Sequence, residues 1–237
     1  MSSKKKQAEL REEKGWESID KAVIKSESFL EKYTNKILVV IGIGVVIACG
    51  YLAYQHFYIG PKTEEAQKAI YKGQQYFEIG NDSLALYGDA NGYIGFEEIA
   101  KEYGSTKTGN LAKAYAGICY AHIGKYDKAL EYLKSYSNSG DKLVSYLVEG
   151  SIGDCLASQG KGKEAIPYFM KAGKSLDNII HTPMLYKKAA IIYRENGDYD
   201  KVIELFTTIK NDYANSPVAA EADKYIEEAT LMKGQSK

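Results

Sequence analysis

The sequence predicts an all-α protein, with one N-terminal transmembrane helix followed by an α-solenoid of repeated helical pairs. Three observations predict it. Residues 37–61 form an unbroken run without Asp, Glu, Lys or Arg. Gly124, Gly160 and Gly197 recur at spacings of 36 and 37 residues, each closing an apolar-periodic run. The segment Phe96–Tyr115 reappears as Phe206–Tyr225 at a constant offset of 110.

The first 36 residues form a charged arm with nine Lys or Arg. Within it Trp16, Ile19, Val23 and Leu30 recur at helical spacing between charged residues, which predicts an amphipathic helix. That stripe fits either a helix lying on a membrane surface or a docking helix for a membrane partner.

The span follows over 37–59. From Ile37 to Tyr58 a helix would reach about 33 Å, enough for a hydrocarbon core of about 30 Å. Tyr51, Tyr54, Phe57 and Tyr58 cluster at its far end, as aromatic residues do at a membrane interface. Thirty-six residues precede the span and no small-x-small cleavage site follows it, so it reads as a signal anchor and not as a cleaved signal. Cys49 lies deep inside the run, which argues against a lipoprotein signal. The basic residues before the span slightly outnumber those after it, so the positive-inside rule favours a cytoplasmic N-terminus. Gly44 and Ala48 stand four apart, a spacing that lets membrane helices pack closely.

Residues 61–237 carry the repeats. Seven residues before each recurrent glycine stand Gly117, Gly153 and Ala190. Four before stand Tyr120, Leu156 and Tyr193; five after stand Ala129, Ala165 and Val202; nine after stand Leu133, Phe169 and Phe206. Small residues at fixed places let paired helices approach, and large ones fill the space between. The glycine predicts a left-handed C-cap, and Pro167 is expected in the first turns of a second helix. A worn first copy ends at Gly80, with an insertion across Leu84–Tyr93 before the register resumes. Ser216 to Met232 then reads as a final first helix without its mate. There are 21 Tyr. Tyr76, Tyr120, Tyr126, Tyr193 and Tyr199 fall at packing positions of the repeat. Tyr87, Tyr93, Tyr136 and Tyr146 do not, and are expected at the surface.

The chemistry of an enzyme is missing from the pattern. The whole chain is neutral, with 31 basic and 31 acidic residues, which argues against a nucleic-acid partner. Its three His have no Cys, Asp or Glu at metal-ligand spacing, and no phosphate loop or nucleophile elbow is present. We therefore expect no catalytic residue, no metal, no cofactor and no small-molecule substrate. Three Cys are too few for a disulfide framework. Cys119 and Cys155 hold equivalent places in consecutive repeats and are expected as buried free thiols.

The spacing and the small, aromatic and glycine positions resemble the tetratricopeptide repeat, with about four repeats and a C-terminal capping helix. That resemblance implies a ligand groove along the first helices. Here it would present Leu111, Ala114, Ile118, His122, Leu147, Asp154, Ser158, Met184, Lys187, Ile191 and Arg194. The family's carboxylate clamp needs Lys and Asn where Ala114 and Ile118 stand, so capture of a chaperone C-terminus is not expected. The order of parts is similar to that of the YfgM-like ancillary subunits of the bacterial SecYEG translocon. This likeness implies a non-enzymatic adaptor in the bacterial inner membrane, with a periplasmic repeat domain. Its partners would be the membrane, the SecYEG translocon, a periplasmic chaperone of the peptidyl-prolyl isomerase type and unfolded clients. The alternative is a scaffold for another envelope machine, such as outer-membrane assembly, secretion or cell division. A client could seat in the groove or on the 84–93 insertion, and the groove is the expected site.

Overall fold

The computed structural model describes residues 33–36 and 38–235; the stripe expected over Trp16–Leu30 lies outside them. The described residues are helices joined by turns, with no strand among them. The chain divides into two compact units, Met1–Tyr58 and Ile59–Lys237.

In the first unit, helix α1 covers residues 38–54. A π-helical turn, Gln55–Ile59, follows it. The helical stretch Tyr33–Glu78 contains one segment long and apolar enough to cross a membrane, and no part of that segment is buried. Leu38, Val46, Ile47 and Leu52 are all exposed. A helix satisfies its own backbone groups, so this one lacks only an apolar surrounding for its side chains. Tyr51, Tyr54, Phe57 and Tyr58 are exposed at its end, and the Tyr54 and Tyr58 rings stack 5.2 Å apart.

The second unit holds α2 (Gly60–Glu78), α3 (Asp82–Tyr87), α4 (Gly95–Glu102), α5 (Lys107–His122) and α6 (Tyr126–Ser135). It continues with α7 (Lys142–Ser158), α8 (Gly162–Leu176), α9 (His181–Glu195) and α10 (Tyr199–Asp212). A 3₁₀ turn, Ala219–Glu221, leads into α11 (Ala222–Gln235). From α4 onward each helix packs against the next in sequence, and α5 also touches α7.

One turn is used four times. Gly80, Gly124, Gly160 and Gly197 have φ of +73°, +76°, +76° and +75°. In each case the residue after the glycine donates to a carbonyl five residues back. These bonds are Asn81 N to Tyr76 O at 2.8 Å, and Lys125 N to Tyr120 O, Lys161 N to Leu156 O and Asp198 N to Tyr193 O at 2.9 Å. Each glycine N–H donates to the carbonyl three residues back at 3.0 Å. This is the Schellman closure of a helix, which needs a residue tolerant of left-handed dihedrals. Gly234 continues the spacing 37 residues after Gly197, yet it stays inside α11.

The packing behind the turn also repeats. A Cβ on Gly117 would sit 2.5 Å from Leu133 Cγ, and one on Gly153 would sit 2.6 Å from the Phe169 ring. In the worn copy, a Cβ on Gly73 would sit 2.6 Å from Phe96. Phe96 therefore fills the place of Leu133 and Phe169, as the offset of 110 requires. The two ends of that offset make the same contact. Phe96 stacks on Tyr115 at 4.8 Å, and Phe206 stacks on Tyr225 at 4.4 Å. Between them, at the equivalent place, Lys188 lies over the Phe169 ring at 5.5 Å. Buried Thr106 and Ser216 likewise accept from Gly109 N and Ala219 N with their hydroxyls.

Pro167 lies in the second turn of α8, among the first turns where it is expected, and its ring removes one helical N–H donor there. Two other expectations need correction. The 84–93 insertion is not an open loop. It begins as α3, and Tyr93 is buried with its hydroxyl donating to Ala85 O at 2.7 Å. Tyr136 and Tyr146 are half-buried against the core, which leaves Tyr87 as the exposed member of that group.

The insertion is held by one carboxylate. Asp89 accepts from Tyr76 OH at 2.5 Å, Asn91 N at 2.8 Å and Tyr93 N at 3.0 Å, and it pairs with Lys72 at 3.2 Å. These bonds, that from Tyr76 foremost, hold the Asp89 carboxyl well below the usual carboxylate range. Gly88 and Gly95, with φ of +91° and +86°, let the chain approach itself on either side.

Candidate functional site

The first-helix face is built by α5, α7 and α9. Helices α7 and α9 lie side by side. The Tyr146 and His181 rings are 5.1 Å apart, a Cβ on Gly150 would sit 3.7 Å from Leu185 Cδ2, and Lys188 donates to Asp154 at 2.6 Å. These contacts fix which residues of the two helices are neighbours.

The face sorts into an apolar end and a charged end. Leu147 and Met184 hold equivalent places one repeat apart and are 41% and 49% exposed. Four residues earlier stand Leu143, in the first turn of α7, and Ile180, immediately before α9, also equivalent and also exposed. Neither of those two was expected at the site. The signal was there, since both follow the 37-residue spacing. Towards the other end the charges neutralise one another between neighbouring elements. Asp154 pairs with Lys188, Lys187 with Glu221 at 2.6 Å, and Arg194 with Glu228 at 3.2 Å. The hydrogen bond from Lys187 pulls the Glu221 carboxyl down, and Glu221 in turn raises the Lys187 ammonium.

The expected groove residues divide accordingly. Leu147, Asp154, Ser158, Met184 and His122 are exposed, and Leu111, Lys187, Ile191 and Arg194 are half-buried. Ile118, at 7% exposure, and Ala114 are buried in the core and present nothing to a ligand. Helix α5 is enclosed by several neighbours, since α2, α3, α4, α6 and α7 all pack against it. One turn beyond Ile118 on the same face, His122 Nδ1 lies 3.0 Å from Asp82 of α3, and its ring stacks on Phe77 at 6.0 Å. His181 is the first residue of α9.

Gly44 and Ala48 are both exposed on α1, and nothing lies within 4 Å of a Cβ built on Gly44. Among the described residues no group of three or more His, Cys, Asp or Glu converges on one point. Cys119 and Cys155 are buried free thiols. Burial pushes the Cys155 thiol up to about 11 and raises Cys119 further, so neither is a ready nucleophile at neutral pH. The Tyr120 hydroxyl donates to Glu97 at 2.7 Å. Burial and that bond raise Tyr120 as well.

What the arrangement offers is therefore a surface. It has an apolar end without partners among the described residues, beside charges already neutralised within the protein. No family model, no curated protein and no solved structure matches the chain.

Proposed function

We propose that this protein is a non-enzymatic, membrane-anchored adaptor that binds other proteins through an α-solenoid of the tetratricopeptide type. The observation that carries the reading is the fourfold glycine turn, combined with the recurring contact of a small residue against a large one. Units that repeat in this way bury their faces against neighbours and leave an extended surface for partners. In this reading residues 37–59 are the anchor, the N-terminus is cytoplasmic and the repeat domain is periplasmic in a bacterial inner membrane. The adaptor links the SecYEG translocon to a periplasmic chaperone of the isomerase type and to emerging clients.

The support for a protein ligand is the apolar end of α7 and α9. Leu143, Leu147, Ile180 and Met184 expose apolar surface next to half-buried Tyr146, the kind of surface that anchors a partner. Cross-linking in native membranes followed by mass spectrometry tests the assignment. Recovery of the translocon and a chaperone with the wild type, but not with Leu147→Glu combined with Met184→Glu, is the expected result. Recovery of an outer-membrane assembly, secretion or division component instead would replace the translocon by another envelope machine. Orientation has its own test: alkaline phosphatase fused at Lys237 should be active, and an inactive fusion reverses the topology.

A further inference from the structure

Each helical pair meets the next first helix at a second place, where the start of one helix faces the end of another. Three residues after its glycine, α6 carries Asp127, which accepts from Gln159 Nε2 at 2.8 Å at the end of α7. Three residues after Gly197, α10 carries Asp200, which pairs with Lys233 near the end of α11. The worn first copy does the same with Asp82 and His122, each one residue earlier relative to its glycine. In these three joints an acid on the earlier helix is bridged to a donor on the later one.

The joint between α8 and α9 breaks the series. The acid is replaced by Lys163, and the residue facing it is Asn196, whose side-chain amide donates instead to Ile192 O at 2.7 Å. Lys163 has no hydrogen bond or ion pair among the described residues. Where the bridge is missing there is a cavity of about 530 Å³. Ile166, Pro167, Met170 and Tyr193 make its apolar part, while Lys163 and Asn196 stand at its polar part. Asp198 also lines it, but its carboxylate caps α10 by accepting from Lys201 N.

We propose that this cavity binds a carboxylate carried on an apolar body. The carboxylate would pair with Lys163, and the apolar part would lie on Ile166, Met170 and Tyr193. The volume falls in the range of small-ligand sites, which combine apolar walls with few polar groups. The sign follows from the exchange itself. A position that elsewhere presents an acid to a donor here presents a cation to an open space, and a cation takes an anionic partner. The carboxylate could come from an acidic side chain beside an apolar one, or from a chain terminus. This site is separate from the apolar end of α7 and α9 and does not depend on the adaptor reading.

The test uses the full chain in lipid nanodiscs, with binding followed by calorimetry. Three probes are compared: acetyl-Phe-Leu with a free carboxylate, the same peptide as its amide, and acetyl-Glu-Phe-Leu-amide. Saturable binding of a carboxylate probe is expected, with the acetyl-Phe-Leu amide weaker by about tenfold or more, as for loss of one charge-assisted hydrogen bond. Whichever carboxylate probe binds tells the terminal source from the side-chain source. Lys163→Gln should cost about the same factor. Lys163→Asp with Asn196→Gln rebuilds the Asp127–Gln159 bridge and should abolish binding. Met170→Glu should abolish it with Lys163 intact. Unchanged melting temperatures establish that these surface variants fold. Equal affinity for acid and amide, full affinity in Lys163→Gln, or no saturable binding of either carboxylate would overturn the proposal.

Discussion

The first helical pair and the three that follow reach the same packing by different means. From α5 to α10 the pair is closed by a short turn, and the second helix starts at once. Between α2 and α4 the chain detours through α3 and a further turn, and Phe96 still arrives opposite Gly73. The regular pairs need only the glycine turn and the small-to-large contact. The first pair needs a polar fastener too, and Asp89 supplies it by gathering Tyr76, Lys72, Asn91 and Tyr93. A repeat thus tolerates an insertion when the inserted residues carry their own means of attachment.

The sharpest way to break this comparison is to remove the large residue from each kind of pair. Phe96→Ala and Phe169→Ala should each cost about 3–5 kcal/mol in chemical denaturation, as buried rings do. A cost at Phe96 below about 1 kcal/mol would mean that the first pair is not the same unit. Next in size is Asp89→Ala, which strands two backbone N–H groups and a phenol. It should lower the melting temperature by several degrees, whereas Asp127→Ala, in a regular pair, should barely move it. The same carboxylate sets a pH dependence. Its folded pKa is depressed, so its stabilising share is fully present above the unfolded value of about 3.9. That share is lost as pH falls through the folded value. Acid unfolding should therefore begin below about pH 4 in the wild type, and its onset should change in Asp89→Asn.

Smaller effects sharpen the likeness between the pairs. Gly80→Ala, Gly124→Ala and Gly197→Ala each place a Cβ in the left-handed region, with open space around it, and should each cost about 1–2 kcal/mol. Unequal costs would separate the first pair from the others. Asp154→Asn removes only an exposed ion pair with Lys188 and should cost less than about 1 kcal/mol.

Much of this architecture is legible in the sequence, and the illegible part has a physical cause. Glycine in a left-handed cap cannot be exchanged without strain, so Gly124, Gly160 and Gly197 mark their turns in plain spacing. The pair Phe96 and Tyr115 announces its twin at Phe206 and Tyr225. The role of Asp89 cannot be read that way. It sits in the one stretch outside the repeat, and its partners come from α2 and from its own turn. Ile118 was misplaced for a related reason. The repeat pattern assigns α5 a face open to a ligand, whereas α2, α3, α4, α6 and α7 all pack against it. Leu143 and Ile180 lie at the starts of α7 and α9, outside the positions that the repeat pattern assigns to the groove.

The stacked arrangement has a consequence for how the chain is made. Interhelical polar links join elements at most 41 residues apart along the chain, from Gln74 to Tyr115, and each helix meets its successor. Local connectivity of this kind favours rapid acquisition of structure. A polypeptide delivered N-terminus first can complete α2 to α4 and dock α5 while α9 is still being synthesised. Every finished pair then offers the template on which the next is laid, so the domain can grow like courses of brick and need not wait for its last residue to arrive.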